Sequence, residues 1–169
     1  MKIITYLFLL LFMASGCDNL SSKQENLDLK SDFKTIDRTG FSIAVPNYMK
    51  ENLELHEEAS IQYMNAIKEV YTIVIDENKA DFQLTFKQLG SYNDSISLLD
   101  NYTQVITESL TEEFGLKLKL YKKVKINGNK AKIYLMEGLV EGVPAEISYV
   151  LTYIEGKEKV YSITSWTLK

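Results

Sequence analysis

The chain has 169 residues, a formal net charge of -4 and a single cysteine, Cys17. That length is one domain's worth and long enough to bury a proper core, and the mildly acidic balance recruits neither nucleic acid nor an anionic membrane face. One cysteine excludes an intramolecular disulfide, so stability outside the cytoplasm has to come from packing.

The first residues have the layout of a secretory signal. Met1-Lys2 is a positive n-region, Ile3 to Met13 an apolar h-region, and Ala14-Ser15-Gly16 a small-residue cleavage site. Eleven apolar residues wound as a helix reach about 16 Å, half of a hydrocarbon core roughly 30 Å thick, which argues against a permanent span. Ala14-Ser15-Gly16-Cys17 resembles the lipobox of bacterial lipoproteins. The resemblance implies removal of residues 1–16 and attachment of diacylglycerol to the Cys17 sulfur, followed by acylation of the freed amine. Two or more acyl chains hold a domain stably at a membrane, since each buried methylene contributes about 0.8 kcal/mol. The alternative is a secreted protein whose cysteine is free or paired between chains.

Residues 17–34 read as a flexible tether, polar and without apolar periodicity. Asp18 resembles an inner-membrane retention signal that only some bacteria use. The expected location is the cell envelope, on the outer membrane or the periplasmic face in preference to the inner membrane. Residues 35–169 are expected to form the domain.

From Gly40 the pattern has period two. Phe41, Ile43 and Val45 alternate with Ser42 and Ala44 until Pro46, which predicts a short strand. "ASIQYMNAI" and "EVYTIVIDEN" predict two paired strands with a bend at Lys68-Glu69. Residues 80–89 fit both periods and are read as a helix. Ile96, Leu99, Tyr102, Ile106, Leu110 and Phe114 then recur every three or four residues. They mark a helix over 97–114, with Ser97 and Asp100 at capping-box spacing and Gly115 as the stop.

After Gly115, four strand-like segments are separated by Asn127-Gly128, Glu141-Gly142 and Glu155-Gly156, which predicts an antiparallel sheet. In 144–154, Ile147, Tyr149, Leu151 and Tyr153 share one face while Val150 and Ile154 lie on the other. A strand apolar on both faces is expected to be covered on both.

The order of elements, with "FSIAVPNYM", "ASIQYMN" and "KEVYTIVIDEN", resembles the PsbP-like family over roughly residues 39–169. The resemblance implies an α+β fold, an α/β/α sandwich around a central antiparallel sheet of about six strands, in proteins that act mostly as accessory or binding partners. Family members continue into a C-terminal helix that covers one sheet face, and no such helix follows Trp166-Thr167-Leu168-Lys169. That leaves the N-terminal segment, a partner or a truncated reading frame to account for the face.

Candidate chemistry is sparse. His56, beside Glu54, Glu57 and Glu58, is the only histidine. Imidazole as a class titrates near neutrality, so a lone histidine could act as a base or a ligand, but a solvated acidic loop is the favoured reading. Zinc needs three or four ligands, so no metal site is expected. No G-x-S-x-G elbow or glycine-rich phosphate loop occurs, and no cofactor is expected. The acidic pairs Asp76-Glu77 and Glu112-Glu113 are read as solvated surface. Tyr63, Tyr71, Tyr134, Tyr149, Tyr153 and Tyr161 are read as sheet packing in preference to a stacking platform. Asp94-Ser95-Ile96 resembles a short bacterial O-glycosylation signal.

The functional expectation is a non-catalytic, lipid-anchored envelope protein, attached through Cys17, with a binding or accessory role towards another envelope protein. The alternatives are a lipoprotein that binds a small ligand or metal in a pocket between helix 97–114 and the sheet, and a hydrolase using His56 or a carboxylate.

Overall fold

The computed structural model describes residues 27–115, 118–140 and 142–169. The signal, Cys17 and most of the tether lie outside the described residues. An α+β fold is built on a seven-stranded, wholly antiparallel sheet. A hairpin of β1 (Phe33–Arg38) and β2 (Phe41–Pro46) stands apart from that sheet. The two-residue β3 (Lys50–Glu51) leads into β4 (Ile61–Asn65) and β5 (Val70–Asn78). Helices α1 (Lys79–Gln88) and α2 (Leu98–Phe114) follow. The chain then runs through β6 (Lys119–Ile126), β7 (Asn129–Leu139), β8 (Glu146–Glu155) and β9 (Lys159–Leu168).

In space the strand order is β3-β4-β5-β9-β8-β7-β6, so the last strand in sequence lies at the centre. Asn127 and Gly128, at φ 48° and 82°, give the β6–β7 turn the two positive dihedrals of a type I′ hairpin.

Alternation along each strand divides the apolar residues between two faces. On one face Met136, Leu151, Tyr153 and Val160 pack against Phe82 of α1 and Leu99 and Tyr102 of α2. The helix stripe follows the predicted spacing at Leu99 and Tyr102, which are buried, and at Ile106 and Leu110, which pack beside them together with Val105. Ser97 caps α2 by accepting from the Asp100 amide, and Gly115 ends it in the left-handed region at φ 64°.

The opposite face carries Ile61, Tyr63, Val74 and Ile163, and its cover is the N-terminal hairpin: Ile36, Phe41, Ile43 and Val45 pack onto it together with Met49. The second layer is thus a β-ribbon, one of the alternatives left open by the sequence. The ribbon reaches across β4, β5 and β9 and stops short of β8. For that reason the expectation that β8 is buried on both faces fails at Val150, which is 44% exposed.

The boundary between tether and domain also moves. Phe33 and Lys34, read from sequence as tether, open β1, and a turn closed by Asp32 N–H donating to Asp28 O precedes them.

Candidate functional site

A cleft of about 810 Å³ opens where the tip of the β1–β2 hairpin meets the sheet. Its floor is apolar: Phe41 and Ile43 from β2, Val74 from β5, Ile154 from β8, and Tyr161 and Ile163 from β9. Ile126, Asn127 and Asn129 of the β6–β7 turn close one end, and Gly156 to Lys159 of the β8–β9 turn form the polar rim.

Tyr161 holds the hairpin tip in place. Its ring packs against Phe41 at a centroid distance of 5.1 Å, and its edge lies over Gly156, where a Cβ would fall 2.8 Å from Cε2. Only glycine fits that approach without displacing the ring.

Of the charged residues on the rim, Lys157, Glu158 and Lys159, the last is engaged within the protein, while Lys79 and Glu155 pair with each other outside the cleft lining. Lys159 pairs with Asp76, and Lys79 Nζ reaches Glu155 Oε1 at 3.2 Å and donates to the Gly156 carbonyl at 3.2 Å. Burial pushes the Asp76 carboxyl up, but hydrogen bonds from Lys159 and Ser60 outweigh it and hold the group below the usual carboxylate range. An apolar floor with a polar rim suits a surface that receives a partner's apolar side chains.

A smaller cleft of about 580 Å³ lies at the N-terminal end of α2, between Ser97, Leu99 and Asp100 and the β6–β7 hairpin. Here Lys132, only 8% exposed, extends from β7 under the helix. Its Nζ donates to Thr103 Oγ1 at 2.8 Å and pairs with Asp100 at 2.5 Å. Lys132, then the Ser97 hydroxyl, hold the Asp100 carboxyl below its ordinary range. Deeper between α2 and the sheet the space is filled by edge-on aromatic contacts among Phe82, Tyr102, Tyr153 and Tyr134. The Tyr102 hydroxyl donates to Glu77 at 2.8 Å. The tyrosines are therefore mostly packing residues, although Tyr71, Trp166 and Tyr149 form a stacked row across β5, β9 and β8, with centroids 5.1 and 6.1 Å apart.

His56 lies in the loop between β3 and β4 and lines neither cleft. Its Nδ1 accepts from the Glu58 amide at 3.2 Å, and its own amide donates to Gln62 Oε1 at 2.8 Å. Among the described residues no three His, Cys, Asp or Glu side chains converge as a metal site would require, and no helix is long and apolar enough to cross a membrane. Ser95 of the glycosylation-like triplet is exposed, beside the Lys87–Asp94 ion pair at 2.6 Å.

Sequence reasoning missed the larger cleft, because its walls come from segments scattered between residues 39 and 163. The smaller one left a signal in the lysine-rich stretch of residues 119–132.

No protein-family model matches the chain, and neither does any curated protein sequence. Among solved structures, the chain is similar to the PsbP protein of the cyanobacterium Synechocystis, at 12% identity and a TM-score of 0.49, over 82% of this chain and 81% of that one. It is also similar to a Pseudomonas aeruginosa protein of unknown function, PA94, at 13% identity and a TM-score of 0.40, over 80% and 83% of the two chains. At these scores neither likeness carries a conclusion about function.

Proposed function

We propose that this is a lipid-anchored cell-envelope protein, attached through Cys17, that works without catalysis by binding another envelope protein in the cleft at the hairpin tip. The observation that supports the binding role is the chemistry of that cleft: an apolar floor from Phe41, Ile43, Val74, Ile154 and Ile163, bordered by a polar rim on which Lys159 is paired with Asp76. A reacting centre needs a polar group left free to exchange protons or attack. A docking groove needs an apolar floor, which this cleft has.

The test is a photo-reactive side chain in place of Asn127, at the cleft mouth, in the full chain expressed in its own host. One discrete adduct from position 127, absent when the probe replaces exposed Asp81 on α1, is the expected result. Equal adducts from both positions, or none from 127, would overturn the binding reading. The anchor is tested separately by Cys17→Ser, which should abolish palmitate labelling of the protein in the membrane fraction.

A small-molecule ligand is the second reading, favoured by the cleft volume, which lies within the range of pockets that enclose a metabolite. A rise in melting temperature with one compound class, removed by Ile154→Arg, would support it over the first.

A further inference from the structure

The chain's net charge of -4 is the difference between two unlike parts. Between Gly115 and Met136 there are seven lysines and no acidic residue, which leaves -11 on the remainder. Whole-chain charge conceals this segregation, and the fold concentrates it, because residues 119–136 of the stretch, with six of the seven lysines, lie on the β6–β7 hairpin at one edge of the sheet.

On that hairpin Lys123 is directly opposite Lys132, and Lys125 directly opposite Lys130. Like charges in register across a ladder are destabilising. Lysines on an edge strand have an ordinary explanation in protection against edge-to-edge aggregation. That explanation covers Lys119, Lys122, Lys123 and Lys125 of β6, but not Lys130 and Lys132, which lie on the paired strand β7. Lys132 is neutralised by Asp100, and Lys130 has Glu155 across from it on β8, where Glu155 already pairs with Lys79. Lys119, Lys122, Lys123, Lys125 and Lys130 are all exposed.

The register of β6 shifts between Leu120 and Lys122, so lysines project on both sides of the edge: Lys119 and Lys122 to one face, Lys123 and Lys125 to the other. At the shift, Leu120 and Tyr121 are exposed at 41% and 60%, and Lys122 Nζ lies 5.2 Å from the Tyr121 ring centre. An apolar and an aromatic side chain flanked by lysines is the composition of a surface that enters lipid headgroups.

We infer that the outer edge of β6 docks edge-on against an anionic lipid surface, with Leu120 and Tyr121 entering the headgroup layer and the five exposed lysines meeting phosphate. The inference rests on the proposal that Cys17 holds the chain at a membrane, and is independent of what occupies the cleft. Between Cys17 and the first described residue, 27, the chain can reach roughly 35 Å at full extension, which allows the domain to turn this edge to the bilayer that anchors it.

The test is lysine footprinting with a membrane-impermeant amine reagent on the full chain purified from its host. The chain is reconstituted in vesicles of phosphatidylcholine alone or mixed with phosphatidylglycerol. Docking predicts about tenfold protection of Lys119, Lys122, Lys123, Lys125 and Lys130 on the anionic vesicles only, reversed by high salt, with exposed Lys50 and Lys157 unchanged. The triple variant Lys119→Gln, Lys122→Gln, Lys125→Gln should lose the protection remaining at Lys123 and Lys130. Equal labelling on both vesicles would overturn the inference. So would equal protection on neutral vesicles by added RNA or polyglutamate, which would assign the edge to another polyanion. Failure of the chain to float with neutral vesicles would refute the anchor alone, since protection by the anionic vesicles reads docking whether or not the chain is tethered.

Discussion

Tyr153 is fully buried in the helix-facing core, and its hydroxyl has no hydrogen-bond partner among the described residues. Burial, and then the nearby Tyr134 hydroxyl, push its ionisation up, so it stays neutral throughout the physiological range. A buried donor without a partner costs about 1–3 kcal/mol. Tyr153→Phe should therefore leave stability unchanged or raise it by up to about 1 kcal/mol, read from urea midpoints. Tyr102→Phe is the contrast, because it strips Glu77 of a hydrogen bond and should cost about 1.5–3 kcal/mol. Lys132→Ala removes the bond to Thr103 and the pair with Asp100, for a loss of similar size.

The Lys132–Asp100 pair also sets a pH dependence. The Asp100 carboxyl titrates lower in the folded protein than in the unfolded chain, where it lies near 3.9. Its contribution is complete above that value and is lost as pH falls through the depressed folded value. Asp76 has the same sign. Denaturation between pH 7 and pH 3 should show stability falling mainly at the acid end, and less steeply in Lys132→Ala. None of these residue-level roles was legible in the sequence, because each partner is remote in the chain and only the fold brings them together.

At the scale of elements, α2 was the most legible part of the protein. Its cap, stripe and stop all fall within one local stretch, from Ser97 to Gly115. Ser97→Ala should cost about 1 kcal/mol, most visible as faster amide exchange in the first turn. The β1–β2 hairpin was half legible. β2 alternates cleanly, whereas β1 places Lys34 and Arg38 on the inward face, opposite Val45 and Phe41. Both side chains cross apolar ground to reach polar partners. Lys34 Nζ donates to the Met49 carbonyl at 2.7 Å above the Tyr63 ring, and Arg38 reaches the Ser60 carbonyl at 3.1 Å and Glu51 at 3.0 Å. Such snorkelling breaks the apolar alternation by which a strand is recognised. Met49, 1% exposed beneath the ribbon, tests how much this layer matters. Met49→Ala should cost about 2–5 kcal/mol and expose the sheet face beneath, read as increased binding of a hydrophobic dye.

For the whole molecule, the sequence carried the antiparallel α+β architecture, because seven of the nine strands among the described residues show in it as alternating or β-rich segments bounded by turn or helix signals. It did not carry the strand order. The two halves of the sheet, β3-β4-β5 and β8-β7-β6, meet only through β9, which pairs with β5 on one side and β8 on the other. Nor did total charge reveal the division between an acidic body and a lysine edge, which depends on where the hairpin is placed.

The central position of β9 bears on how such a chain is made. Its pairing with β5 joins Val70 to Thr167, so almost the whole domain must be synthesised before the sheet can close. Contacts this distant in sequence form late. Until then α1 and α2 have only half a sheet to pack on, and the nascent chain stays loosely organised. That suits a protein whose first residues resemble an export signal, since a chain slow to close is one that can still be threaded through a narrow channel.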